Sequence, residues 1–433
     1  MEKCVVLSDG DKLREIRKKY HVKQEEIAGE EITRNLISEI ENNKAPITKK
    51  TAEIIIKNLS VLAKKRYFEV DETVDYLMEN QIVQANRALD NYIEELNTLS
   101  ISKGDSFIKT LKEAESFLID WDIKDKKLKI YEIAGDYYCN NNEMYKSAVY
   151  YEKASALLSR MFLDRKLLSL SRKLSTVYGR IGDYKKSIEC CEFALKYFDD
   201  MPQKDEVVFL YNNALNYKHI NNLKLALKNI EVAENLVSKT DILTYIKVLN
   251  TKGNCLYEMK SYDEAIKIFN KIFTLIDKRE TDKYLINLIN IVNSYWYAGM
   301  KDKALENFKF VINELPNLSN KDLCVADIYF EVGKIYERIN KIKLSEDYYL
   351  MAVDFSEKQK NYVLLNSILY DLIELYSISN NVKKINNIKD KVLLNAKLQN
   401  KINNLLMYKL IAFYIKNNDD IAKQVADFAI KFE

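Results

Sequence analysis

Glycine and proline are scarce, with 9 and 3 in a chain of 433 residues. An all-β or Rossmann-like fold needs more turn chemistry than that, which leaves helix as the default. Histidine is scarcer still. With only His21 and His219, most metal sites and most imidazole acid–base chemistry are excluded, and both read as loop or helix-surface residues. Six cysteines (Cys4, Cys139, Cys190, Cys191, Cys255 and Cys324) stand without a CxxC or Cys/His grouping. They read as reduced core residues, and no metal and no other cofactor is expected. A Gly-rich phosphate loop and a nucleophile elbow are both missing, so nothing supports an enzyme. No apolar run approaches the length of a membrane span. The one early stretch, Val5-Val6-Leu7, is followed at once by charge, and a soluble, cytoplasmic protein without membrane contact is expected.

What remains is apolar residues at helical spacing, in a chain that is 47% hydrophobic and able to bury a continuous core. The formal charge of +3 is unevenly spread. Residues 1–66 carry 15 Lys and Arg against 11 Asp and Glu, and the remainder carries 52 against 53. The basic excess therefore lies where a nucleic-acid contact is useful. Leu13, Ile16 and Tyr20 recur at the spacing of a first amphipathic helix. A short second helix is expected from Gln24 to Gly29, with Ile27 and Ala28 inward. A third begins after Thr33, a good N-cap, and buries Leu36, Ile37 and Ile40. Pro46 and Thr48 break the chain before a fourth helix through Ile54, Ile55 and Leu59.

The segments Q-E-E-I-A and T-R-N-L-I-S-E-I-E-N-N-K resemble the helix-turn-helix of the phage-repressor-like (Xre) class over roughly 55 residues. In that class the third helix enters the major groove of double-stranded DNA and the second crosses the backbone. The resemblance implies base or groove contacts from Arg34, Asn35, Ser38, Glu39 and Asn42. It places Gln24, Thr33 and Lys44 at phosphates. The short turn Gly29-Glu30-Glu31-Ile32-Thr33 is similar to that of the RRNPP family of peptide-responsive quorum-sensing regulators. Beyond it, Val70, Val74, Leu77, Ile82, Ala85, Leu89 and Ile93 predict a connecting helix pair.

A repeat follows. Small residues expected to open the second helix of successive hairpins fall at Ala148, Ser187, Ala226, Ala265 and Ala304, each 39 residues from the next, then at Ser345 and Ile385. Nine residues before them stand Tyr178, Tyr217, Leu256, Tyr295, Tyr336 and Tyr376; seven residues after them stand Ala194, Ala233, Ile272, Val311, Ala352 and Val392. Pieces such as Gly253-Asn-Cys-Leu-Tyr and Tyr262-Asp-Glu-Ala-Ile look like tetratricopeptide helix pairs, although the period exceeds the usual ~34 residues. Phe413, Ala422, Ala426 and Ala429 predict a terminal pair. The expected fold is all-α: residues 1–66 form the helix-turn-helix domain, 67–120 a helical linker, and 121–433 a right-handed tetratricopeptide-like solenoid with a concave groove.

The register assigns Arg172, Thr176, Asn212, Asn250, Asn254, Asn290, Asn293, Trp296, Tyr297, Glu331 and Lys334 to the inner side. An asparagine amide both donates and accepts, so such a stripe suits the backbone of an extended peptide. The RRNPP resemblance implies a short signalling peptide there, with Trp296 and Tyr297 as an apolar pocket and Arg172 or Arg180 for a carboxylate. The function implied is a homodimeric, peptide-responsive transcriptional regulator. The competing reading is a protein-interaction adaptor that sequesters or dephosphorylates a signalling protein.

Overall fold

The computed structural model describes residues 5–101, 104–158, 165–277, 279–319 and 324–431; Cys4 lies outside them. Among the described residues there is no strand, and no helix is long and apolar enough to cross a membrane. The chain divides into two compact units, Met1–Ala134 and Gly135–Glu433.

In the first unit, α1 (Asp9–Lys19), α2 (Gln24–Ala28), α3 (Arg34–Glu41) and α4 (Lys49–Arg66) close on Leu13, Ile16, Ile27, Ile37, Ile40, Ile55 and Leu59. Side-chain caps fix three of the starts: Ser8 accepts from Asp11 N–H, Thr33 from Leu36 N–H and Thr48 from Thr51 N–H. Gly29 ends α2 at φ +61, a conformation that favours a residue without Cβ, and Asn58 packs where that Cβ would lie. The expected pair is α5 (Val74–Met78), with Val74 and Leu77, and α6 (Gln81–Leu99), with Ile82, Ala85, Leu89 and Ile93; α7 (Asp105–Asp120) follows.

Two buried polar anchors tie α5 to α1 and α6 to the segment just before it. Lys12 is fully buried, and its Nζ donates to the carbonyls of Tyr76 (3.1 Å), Leu77 (3.3 Å) and Glu79. Those carbonyls lie at the C-terminal end of α5, where a cation also meets the negative end of the helix dipole. Gln84 accepts from Leu7 N–H at 3.0 Å and donates to Leu7 O at 3.1 Å.

In the second unit, helices alternate as first and second members of hairpins. The first members are the end of α8 (Lys124–Asn140), α10 (Arg165–Arg180), α12 (Gln203–His219), α14 (Ile242–Glu258), α16 (Thr281–Tyr297), α18 (Val325–Arg338), α20 (Tyr362–Ile378) and α22 (Asn404–Asn417). The second members are α9 (Met144–Ala156), α11 (Tyr184–Tyr197), α13 (Leu223–Leu236), α15 (Tyr262–Phe273), α17 (Lys301–Glu314), α19 (Ile342–Lys358), α21 (Val382–Gln399) and α23 (Asp419–Ile430). Ala148 is not the equivalent of the later small residues. Ser147 is: its Oγ donates to Gly135 O as Ser187 Oγ donates to Ser175 O, and the residue seven further on, Ala154, is fully buried.

Counted from Ser147, Ser187, Ala226, Ala265, Ala304, Ser345 and Ile385, the residue five positions earlier has positive φ in every pair: Asn142, Gly182, Asn221, Lys260, Gly299, Asn340 and Asn380. Glycine and asparagine enter this region at least cost, which accounts for Asn142, Asn221, Asn340 and Asn380. Twelve positions earlier, three of the pairs set a glycine against a ring. Gly135, Gly253 and Gly333 lie against the rings of Tyr151, Phe269 and Tyr349, where an added Cβ would stand 2.4–2.5 Å from ring carbons. The same register carries Ser175 with Cys191, Ala214 with Ile230, Val292 with Phe308 and Ile373 with Lys389, so the exchange of size is not made in every pair.

Candidate functional site

The α3 helix is buried along Ile37 and Ile40 and exposes Arg34, Asn35 and Glu39. Those three side chains make no intramolecular hydrogen bond or ion pair among the described residues. Asn42 donates to Ser38 O at 2.7 Å, and Ser38 is half-buried. Thr33 uses its hydroxyl to cap α3 at 3.2 Å. Exposed Lys44, Lys49 and Lys50 continue the surface past the end of α3.

Gln24 is half-buried and committed within the unit: its Nε2 donates to Glu41 Oε2 at 2.8 Å. Glu41 itself is buried and receives Arg17 Nε at 2.7 Å, while Arg14 donates to its backbone carbonyl. A buried carboxylate needs such compensation, and here the compensation joins α1, α2 and α3 at one point. Sequence reading missed Arg17 and Glu41, since no local period marks a pair 24 residues apart.

Along the first helices of the second unit, the predicted inner residues form a ladder. Asn212 donates to Ser175 Oγ (3.0 Å) and Thr176 Oγ1 (3.3 Å); Asn290 donates to Asn250 Oδ1 (2.9 Å). Asn293 donates to Glu331 (3.2 Å) and accepts from Arg338 (2.9 Å), whose guanidinium covers the Trp296 and Tyr297 rings. Lys334 pairs with Glu331, and Arg172 approaches Asp205 at 3.5 Å. The structure thus joins several of these residues along neighbouring rungs, while Asn254 makes no hydrogen bond among the described residues. Among the described residues no donor reaches the side-chain Oδ1 of Asn212 or Asn290.

Two inner carboxylates escaped sequence reading. Desolvation first, and Glu331 second, push Asp327 up to about 6, although its surface stays exposed to solvent. Asp371 is also raised to about 6, by desolvation and by Glu337, Glu331 and Glu374, against the opposing pull of Lys334. Neither makes an ion pair within 4 Å among the described residues. Asp371 lines a cavity of about 600 Å³ with Phe330, Lys334, Tyr370 and Leu406, and its far wall is Tyr145, Ile181 and Tyr184 of earlier pairs. The solenoid has therefore turned far enough for distant repeats to meet. Tyr145 Oη donates to Gln399 at 3.4 Å, and Lys360 lies 3.7 Å from Glu143. Of the inner residues expected from sequence, Lys334 lines this cavity.

No family model matches the chain, and no curated protein matches it. Among solved structures, RapI in its apo form is similar, with a TM-score of 0.50 and 16% identity, covering 63% of this chain and 98% of that one. The second unit is a tetratricopeptide-type α-solenoid. A Rap protein complexed with competence and sporulation factor is also similar, at TM-score 0.48 and 14% identity over 90% of this chain and 99% of that one. So is the Rap conjugation gene regulator of the plasmid pLS20 in complex with the Phr* peptide, at TM-score 0.46 and 14% identity over 76% and 97%. At 16% identity the likeness to RapI carries the fold alone.

Proposed function

We propose that the chain is a peptide-responsive transcriptional regulator, acting as a homodimer. In this reading residues 1–66 bind operator DNA through Gln24, Thr33, Arg34, Asn35, Ser38, Glu39, Asn42 and Lys44. Residues 67–120 connect, and residues 121–433 take a short signalling peptide on their inner wall. The observation that carries the reading is α3: a helix anchored by buried isoleucines, whose outward Arg34, Asn35 and Glu39 have no partner of their own. Arginine suits guanine, asparagine suits adenine, and glutamate accepts from a cytosine amino group. Gln24 and Thr33 are each already engaged, so their part is to hold the frame at the backbone contact rather than to read bases.

The inner ladder supports the peptide half of the reading. Asn212 and Asn290 are fixed by their own donated bonds, and their carbonyl oxygens complement the N–H groups of an extended backbone. Gel-shift titration at fixed salt tests the DNA half. Arg34→Ala with Asn35→Ala is expected to weaken operator binding by about 1–3 kcal/mol per lost base contact, and unchanged affinity removes the assignment. Calorimetry tests the peptide half. A peptide of about 5–10 residues that alters DNA binding is expected to lose about 1–3 kcal/mol against Asn212→Ala or Asn290→Ala. If no short peptide alters DNA binding, the adaptor reading takes its place.

A further inference from the structure

Where early and late hairpins of the second unit meet, they enclose a cavity of about 310 Å³. Asn142 reaches it from the turn after α8, Arg180 from the end of α10, and Lys360 from the turn between α19 and α20. Its charge is one-sided: these two cations line it, and no carboxylate does. Arg180 is exposed and makes no hydrogen bond or ion pair among the described residues. Lys360 approaches Glu143 at 3.7 Å, but that carboxylate is already held by Lys146 at 2.6 Å. Glu357, which lines the adjoining cavity with Glu143, is taken by Lys391 at 2.6 Å. Two cations brought to one cavity repel each other unless something negative stands between them.

Another part of the wall is aromatic. The rings of Tyr184 and His219 lie parallel, with centroids 4.5 Å apart and 3° between their planes, and both line the cavity. Such a pair accepts a third planar ring on its stack. A guanidinium grips phosphate oxygens two at a time, and an ammonium adds a point charge. The amide of Asn142 offers a donor and an acceptor beside them. The volume sits at the lower end of the range for small-molecule sites, so a single ring with its phosphate is what it can hold.

We propose that this cavity binds a small phosphate monoester carrying a planar ring, a nucleoside monophosphate in chemical class. The phosphate sits between Arg180 and Lys360, and the ring stacks on the Tyr184–His219 pair. Arg180 belongs to the second hairpin and Lys360 to the end of the sixth, so a phosphate held by both ties an early repeat to a late one. A ligand that needs both cations favours the arrangement in which they stand together, and it therefore holds the coil closed at this point. The site does not rest on the peptide reading.

The test is calorimetric titration of the full-length chain with adenosine monophosphate, adenosine and inorganic phosphate in turn. The monophosphate is expected to bind more tightly than either fragment. Arg180→Gln with Lys360→Gln, both at exposed positions, is expected to weaken monophosphate binding about tenfold or more in a protein that melts as before. His219→Ala is expected to weaken the monophosphate about fivefold or more and to leave inorganic phosphate unchanged, since it removes the stack and no charge. Adenosine or inorganic phosphate binding as well as the monophosphate overturns the proposal. So does undiminished binding by the double variant, or no binding of the monophosphate at about millimolar concentration. Displacement of the monophosphate by a tripeptide with a free carboxylate, at equal or lower concentration, assigns Arg180 to a peptide end and overturns it equally.

Discussion

A lysine with no exposed surface needs acceptors, and Lys12 finds three carbonyls at the end of α5. Burial holds its ammonium below the usual lysine range, and the neighbouring Asp9 carboxylate, at 3.8 Å, opposes that shift. Lys12→Met keeps the stem and removes the donors, so those carbonyls lose their partner. Urea unfolding is expected to show a loss of about 2–3 kcal/mol, well beyond a surface lysine change. A helical wheel marks lysine as outward, so neither this anchor nor the Arg17–Glu41–Gln24 junction was legible in the sequence. The exposed face of α3 was, because Ile37 and Ile40 leave Arg34, Asn35 and Glu39 no other side to occupy. Asp371 was illegible for the opposite reason: a carboxylate on a helix face reads as solvated until neighbouring rungs crowd it.

At the level of helix pairs, packing in three of them is set by size exchange between a first helix and its partner. Gly253→Ala places a methyl group about where the Phe269 ring lies, and Gly333→Ala does the same at Tyr349. Each is expected to lower stability by about 1–3 kcal/mol, read as a shift in the denaturation midpoint. Paired with Phe269→Ala, the Gly253→Ala cost should shrink, which a double-mutant cycle measures. The 39-residue period and the tyrosine column were visible in the sequence, and so was the helix content. The first pair was set one residue off, since Ser147 and Ala148 are both small and only the Ser147–Gly135 bond separates them. Titration belongs to this scale too, because Asp371 senses groups on α18 and α20 together. Its folded value near 6 exceeds the ordinary value of 3.8, so the folded chain binds the proton more tightly than the unfolded chain. Stability from this group is therefore lost above about pH 6 and recovered as pH falls towards 4. The difference in melting temperature between the unaltered protein and Asp371→Asn is expected to be largest near pH 7.5 and to narrow towards about pH 5.

On the proposed DNA-binding reading, one four-helix surface offers few contacts for operator-level specificity, and a dimer on two-fold half-sites would supply the rest. Light scattering is expected to give twice the 50.8 kDa chain mass, and a species of 50.8 kDa alone, with and without DNA, contradicts the dimer. The sequence could order the repeats but not say where the coil returns upon itself, since Tyr145 and Gln399 are separated by 254 positions. That return has a kinetic meaning. An open stack of repeats frays from its ends, each hairpin peeling away at the expense of a single neighbour. Where Glu143 meets Lys360 and Tyr145 meets Gln399, early and late hairpins brace each other, so the amide protons of α9 and α20 should exchange with solvent at a shared rate. Lys360→Glu should uncouple them, and the two ends would then exchange independently.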